Sequence, residues 1–238
     1  MIDTTNDFAS ERPPHLSQCE WDPDKWSETL REYHCLLWSG PLPGSDVACA
    51  LASASPPQSL ALHSGVSEFS VSSDSIVITY ACRESMQHLT SVLPPDELAT
   101  FFSEASTIGG RIIFPSKRIE GQTINQRRGF HPWISDRFDL TLECIRLHFS
   151  GDYTSPIGRT LRLYAAFFDL FGDFRKYVDF FLLRDLVTSD YSAVRFFLPF
   201  QGFGANPLPQ TTDEYLAFRD ASVNFVRARN ARIDQLGL

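Results

Sequence analysis

The sequence predicts an α+β fold: a mainly helical single domain with a few short antiparallel strands. Three observations lead there. Apolar residues recur three and four positions apart along several segments, which is the spacing of a helix face buried on one side. Short β-branched runs end at proline or turn residues. Helices and strands do not alternate in the regular order that builds a parallel sheet. The chain has 238 residues, 43% of them hydrophobic and 20 of them Phe, enough for a sizeable core. Residues 1–20 are polar and are expected to form a flexible N-terminal segment, with residues 21–238 as the domain.

Each element has its own signal. Asp22-Pro23-Asp24 places an N-cap residue before a proline at the first helical position. Trp26, Leu30, Tyr33 and Leu37 then fall on one helical face, and Ser39-Gly40-Pro41 stops the helix. From Pro41 to Pro57 the chain is rich in Pro, Gly, Ser and Ala and reads as a long connection. Two strands are expected at Phe69–Ser72 and Ile76–Tyr80, joined at Ser73-Asp74. Pro94-Pro95-Asp96-Glu97 opens a short helix with Leu98, Phe101 and Phe102 inward. Gly110–Pro115 reads as a strand closed by proline, and Ser116–Pro132 as a polar, basic loop.

The second half is more helical. A helix is expected from Asp136 to Phe149. Ser155-Pro156 caps another, carrying Leu161, Tyr164, Phe168 and Phe171 and ending at Gly172. Asp173 caps the next, with Phe174, Tyr177, Val178, Phe181 and Leu182 on one face. Val194–Pro199 reads as a strand. Thr212-Asp213-Glu214 opens a last helix bearing Tyr215, Phe218, Ser222, Phe225 and Val226. The aromatic stripes read as core.

Charge narrows the partners. The net charge is −8, yet residues 1–104 hold 15 acids against 4 bases, whereas residues 105–238 hold 14 acids against 17 bases. A chain this acidic is not expected to coat duplex nucleic acid non-specifically. The basic surplus is local: Arg111, Lys117, Arg118, Arg127 and Arg128 face Glu120 alone within Arg111–Arg128. No uninterrupted apolar run is long enough for a transmembrane helix, and the acidic start lacks the pattern of a signal peptide. The five cysteines are scattered, with no C-x-x-C pair. They are expected to be reduced, which points to the cytoplasm.

Several stretches carry a family resemblance. They are Asp22–Ser27 (DPDKWS), Tyr33–Ser39 (YHCLLWS) and Ile108–Pro115 (IGGRIIFP). Thr123–Gly129 (TINQRRG) is another, and the match is strongest in Asp136–Arg146 (DRFDLTLECIR) and Phe171–Leu183 (FGDFRKYVDFFLL). Together they resemble an uncharacterised bacterial protein family, a domain of unknown function. The resemblance spans nearly the whole chain and implies one domain; it implies no activity and no catalytic residue.

The residues themselves point to one site, from Arg111 to Arg146. Arginine's planar fork matches phosphate and carboxylate oxygens in pairs, and asparagine can orient a sugar or base edge. Arg111, Lys117, Asn125, Arg127, Arg128 and Arg137 are therefore the ligand-binding candidates for a nucleotide or other phosphate-bearing small molecule. Asp136, Asp139 and Glu143 share one stripe if the helix starts at Asp136, at about 100° per residue. Asp136 and Glu143 are the candidate acid/base groups, with His131 as a proton carrier. No cofactor is specified, and along the acid-bearing helix no D-x-D or H-E-x-x-H spacing marks a metal site.

The same residues also fit a structural reading. Asp136 would then be an N-cap, Asp139 would meet the helix dipole and Glu143 would pair with Arg146. The rival function is a non-catalytic interaction protein that docks an acidic protein or structured RNA through the basic patch.

Overall fold

The computed structural model describes residues 1–17, 19, 20, 22–44, 46–54, 59–65 and 67–238. Its sheet runs in sequence order, β1 (Gly40–Pro41), β2 (Ala48–Ala54), β3 (Ser59–Ser64), β4 (Ser67–Ser75) and β5 (Arg111–Pro115), each neighbour antiparallel. The helices are α1 (Pro23–Trp26), α2 (Glu28–Trp38), α3 (Gln87–Thr90), α4 (Pro95–Ala105), α5 (Ile124–Phe130), α6 (Phe138–Phe149), α7 (Gly158–Leu163), α8 (Ala165–Phe168), α9 (Phe174–Phe180) and α10 (Thr212–Gln235). The expected α+β, mainly helical fold is what the structure shows.

The local rules explain where helices begin. Ser27 accepts from the Leu30 amide at 2.9 Å and so starts α2 afresh after α1. The single helix expected from Asp22 is thereby split, and Trp26 stays 45% exposed instead of facing inward. Asp173 caps α9 through the Lys176 amide, and Thr211 caps α10 through that of Glu214. These oxygens satisfy amides that the first helical turn leaves without carbonyl partners.

Three sequence expectations are corrected. The stretch from Pro41 holds β1 and β2 where a connection was expected; its end, residues 55–57, lies outside the described residues. Alternating burial of Cys49 and Leu51 in β2 is a strand signal that small serines and alanines dilute. Ile76–Tyr80 leaves the sheet: the Ile76 amide donates to the Gly110 carbonyl, and Tyr80 turns into positive φ. Val194–Pro199 pairs only at its start, where Val194 bridges Val187 and the Arg195 amide donates to the Leu186 carbonyl; further on, side chains claim its backbone. The Phe197 amide donates to Asp139, and the Leu198 carbonyl accepts from Arg137.

The aromatic residues form the core, as their spacing suggests. Trp38, Phe171, Tyr177 and Phe181 meet at ring separations of 4.9–5.3 Å. A second cluster joins Ile2, Phe8, Leu30, Tyr33, Ile108 and Ile233. The N-terminal segment, expected to be flexible, contributes its fully buried Phe8 to that cluster. It also bonds the far end of the chain, from the Ile2 amide to the Leu238 carbonyl. Gly109 lets α10 approach the turn that precedes β5, and Gly110 lets the end of α4 do so. A Cβ at Gly109 would sit 2.4 Å from Asn230 Oδ1, and one at Gly110 would sit 2.1 Å from the Ala105 carbonyl oxygen.

α10 is riveted by Arg229, which is fully buried. Its guanidinium donates to the carbonyls of Phe181, Gly109 and Arg111 and lies 5.7 Å from the Trp38 ring. No carboxylate pairs with it among the described residues, and burial draws its pKa down to about 9.

Candidate functional site

The site begins where β4 ends. Ser73, Asp74 and Ser75 face Ile113, Ile112 and Arg111 across the antiparallel ladder. The Arg111 guanidinium donates to Ser75 Oγ at 2.8 Å. Ser73, Asp74, Ser75 and Arg111 line a cleft of about 640 Å³ whose other walls include Thr79–Glu84, Phe102, Ser106, Cys19, Asp22 and Pro23. A cleft of that size is in the range that holds a small molecule.

Three of the candidate arginines are buried: Arg111, 6% exposed at the cleft wall, and Arg128 and Arg137, which lie away from the cleft. Arg128, on α5, is fully buried. It donates from Nε to Thr141, from Nη1 to Asp74 at 2.8 Å and to the Ser75 carbonyl, and from Nη2 to the Asp136 carbonyl. Its Nη1 also stands 2.9 Å from Asp136 Oδ1. Arg137 pairs with the fully buried Asp139 and donates to the carbonyls of Pro207 and Leu198. Each of these last two guanidinium groups is held by acceptors of the fold. A ligand phosphate would have to displace them, leaving buried acceptors without donors, which is costly.

The carboxylates do not form the expected stripe. α6 begins at Phe138 with Arg137 at its N-cap, so Asp136 precedes the helix, at φ 66°. The helical projection does not apply to it, and Asp136 is not the cap of the structural reading either. Asp136 turns to Arg128, whereas Glu143 binds Arg146 through two hydrogen bonds of 2.7 Å. The structure therefore separates Asp136 and Glu143. His131 ends α5 and accepts from the Trp133 amide through Nδ1 at 3.3 Å; burial, with Arg127 beside it, lowers its pKa.

The rest of the basic loop disperses. Ser116–Pro132 is not all loop, since α5 starts at Ile124 under a Thr123 cap. Arg127 and Lys117 are exposed. Lys117 lines a separate pocket of about 230 Å³ with Phe69, Leu163 and Phe167. Asn125 donates to Ser72 Oγ at 3.2 Å, and its buried Oδ1 lacks a hydrogen-bond partner. Of the ligand-binding candidates, only Arg111 lines the large cleft.

The cleft's polar groups also include Asp22, Ser73, Asp74, Ser75, Thr79, Arg83, Glu84 and Ser106, which the sequence did not mark as site residues. Asp74 was read as part of a strand turn. Its side chain is 19% exposed. Burial, opposed by Arg128 and reinforced by Asp136, raises its pKa above the usual carboxylate range. A carboxyl so placed can hold a proton that an exposed one would have released. Ser106 is 1% exposed and its hydroxyl has no hydrogen-bond partner among the described residues. The one local signal was Ser72-Ser-Asp-Ser75, an isolated acid among serines.

Ser73 adjoins His34, and the proton positions there follow from chemistry. Trp38 Nε1 can only donate, and it lies 2.9 Å from His34 Nδ1. Nδ1 must accept, so neutral His34 carries its hydrogen on Nε2 and donates it to Ser73 Oγ at 3.1 Å. His34 thus has no lone pair left to take a proton from Ser73, and a Ser–His nucleophile is excluded for this pair. Burial, with Arg229 and Arg111 nearby, pushes the His34 pKa down to about 3.

Strain collects around the same place. Tyr80, Ser135 and Asp136 are non-glycine residues at φ 60°, 44° and 66°. Tyr80 lines the cleft and donates its hydroxyl to the Ser135 carbonyl at 3.0 Å. The Arg128 bonds to Asp136 hold that turn in place. Such backbone persists only where surrounding contacts fix it.

The cysteines correct another expectation. Cys19 and Cys82 form a disulfide across 63 residues, and Cys35, Cys49 and Cys144 are free. Both bonded cysteines line the cleft. No described helix is long and apolar enough to cross a membrane. Among the described residues, no cluster of three or more His, Cys, Asp or Glu is placed to hold a metal.

Fold and cleft together define an α+β protein with a ligand-sized, serine-rich cleft at one end of its sheet. A family of unknown function (DUF6994) matches residues 2–233, and the chain belongs to it. No curated protein and no solved structure matches the chain.

Proposed function

We propose that the protein binds a small polar molecule in the β4–β5 cleft, with Asp74 as a proton-exchanging carboxyl. The observation that carries this reading is the Ser106 hydroxyl: buried, without a partner, and set in a cleft of ligand size. Buried hydroxyls are usually hydrogen-bonded, so one without a partner among the described residues, just behind a cleft wall, suits a ligand or water that reaches it. Ser73, Ser75 and Arg111 supply further hydrogen-bonding groups, and Val77, Ile78 and Phe102 supply apolar wall. A nucleoside, nucleotide or sugar phosphate has this mix of polar edge and apolar face. The phosphate contacts would then come from Arg111 and Arg83 in place of Arg128 and Arg137.

A thermal-shift panel of nucleosides, nucleotides, sugar phosphates and amino acids tests it. A ligand at 100 times its dissociation constant stabilises the fold by about 2.7 kcal/mol. Ser106→Ala should leave the unliganded melting temperature nearly unchanged and weaken the ligand's shift. A shift indifferent to Ser106→Ala places the ligand elsewhere.

A second reading rests on a different surface. Phe130 is 86% exposed and Trp133 is 42% exposed, beside the exposed Arg127. Aromatic and arginine side chains are enriched where proteins dock. We infer that an acidic partner would bind there if the protein is an interaction module. Phe130→Ala with Trp133→Ala should abolish that docking while the cleft's ligand shifts persist.

A further inference from the structure

We propose that the Cys19–Cys82 disulfide is a redox latch on the cleft: it fastens the strap of residues 13–20 to the cleft wall, and exchange with a dithiol of the thioredoxin class releases it. The inference deepens the cleft reading and rests on that cleft being the ligand site.

The strap is held differently from its neighbours. Before it, Phe8 is fully buried, Thr4 bonds Asp234 and Asp7 bonds Ser103. After it, Leu30 is fully buried at the start of α2. Between these anchors, none of the described residues from 13 to 20 is buried. Their hydrogen bonds stay within residues 12–20, as in Arg12 to the Leu16 carbonyl and Ser17 to Glu20. His15 meets Trp26, itself 45% exposed, at 6.1 Å. The disulfide is the covalent tie from this strap to the body of the protein, and it joins two segments that both line the cleft.

The sulfurs are also placed for selective exchange. Cys19 and Cys82 are exposed, whereas Cys49 and Cys144 are buried and Cys35 is half-buried. Burial raises the thiol pKa at all three free cysteines and keeps them protonated. The thiolate is the attacking species, so internal scrambling is suppressed and an external thiolate reaches the exposed pair. In the exchange, one thiolate of the external dithiol bonds to one sulfur of the pair, and the other cysteine leaves as a thiolate. The second external thiol then attacks the mixed disulfide. The protein ends with two thiols, the reagent ends with one disulfide, and two electrons have moved.

Hydrogen exchange on the full chain tests the latch without any ligand. Oxidised protein, the same protein reduced with dithiothreitol or a thioredoxin-class dithiol, and Cys82→Ser are compared. On reduction, the amides of Leu16, Ser17 and Glu20, hydrogen-bonded within the strap, should exchange about tenfold faster or more, while those of α6 and α10 keep their protection. Reoxidation should restore the slow exchange in the parent chain and not in Cys82→Ser. Strap amides indifferent to reduction would overturn the proposal. So would loss of protection throughout α6 and α10, which would make the bond a staple of the whole fold. Because no ligand enters, a cleft that binds nothing leaves this readout intact. A ligand that binds while the strap stays unresponsive rejects the latch alone.

Discussion

The polar network around Arg128, Arg137 and Arg229 and the cleft around Asp74 and Ser106 lie side by side, yet they treat polar groups in opposite ways. In the network each guanidinium is sealed and meets acceptors of the fold, three of them backbone carbonyls in the case of Arg229. In the cleft, a buried hydroxyl lacks a partner and a carboxyl is held above its usual pKa. Asp74 belongs to both, with one oxygen on Arg128 and its side chain at the cleft wall. Charge density in the sequence therefore marked the scaffold, whereas the place open to chemistry is made of small residues.

Breaking the network should give the largest effect. Arg128→Ala leaves Asp74 and Asp136 without their shared cation, and losing one partner of a buried pair costs about 3–5 kcal/mol. For a chain of this size that is a fall of about 6–20 °C in melting temperature. An Arg128→Ala protein that melts within a degree of the parent would refute the scaffold role.

The disulfide comes next. Cys19→Ser frees a 63-residue loop in the unfolded chain. Loop-closure entropy sets an upper bound of about 4 kcal/mol, and a latch that leaves α6 and α10 protected requires a loss well below that bound. Denaturant titration of oxidised and reduced parent protein should give the same difference. A thiol titration of unfolded, unreduced protein should find three free cysteines, in accord with the structure.

Acid should act through His34. Its folded pKa of about 3 lies below the ordinary 6.5, so the unfolded state binds the proton first. Stability is full above pH 6.5 and falls as pH drops toward 3, by up to about 1.4 kcal/mol per unit. His34→Gln, although less stable at neutral pH, should show a flatter acid limb. Asp74 has the opposite sign: its raised pKa favours the protonated folded form, so it opposes stability as pH rises above the ordinary carboxylate range. Asp74→Asn should remove that contribution.

The smallest effect on stability sharpens the contrast most. Ser106→Ala should change unfolding free energy by only a few tenths of a kcal/mol. A large loss there would mean that the hydroxyl is part of the scaffold, and the distinction between the two regions would fail.

Much of the architecture was legible in the residues, because it depends on local spacing. The Asp173 cap, the face of α9 and the start of α10 needed only neighbours within two turns. Glu143 with Arg146 was legible for the same reason. β2 was not, since its serines and alanines give little contrast between faces. The site was less legible still: Arg128 and Asp74 are 54 residues apart, and the two bonded cysteines 63.

By itself, then, the sequence determined the apolar faces of the longer helices, the aromatic core and the α+β class, all of which follow from periodicity and capping along the chain. Tertiary structure alone decided that Asp136 leaves its helix for Arg128, that Cys19 meets Cys82, and that Ser106 reaches the cleft without a partner. The physical reason is that burial and pairing depend on groups brought together from distant positions. The same guanidinium binds a ligand or closes a core according to which oxygens the fold places around it.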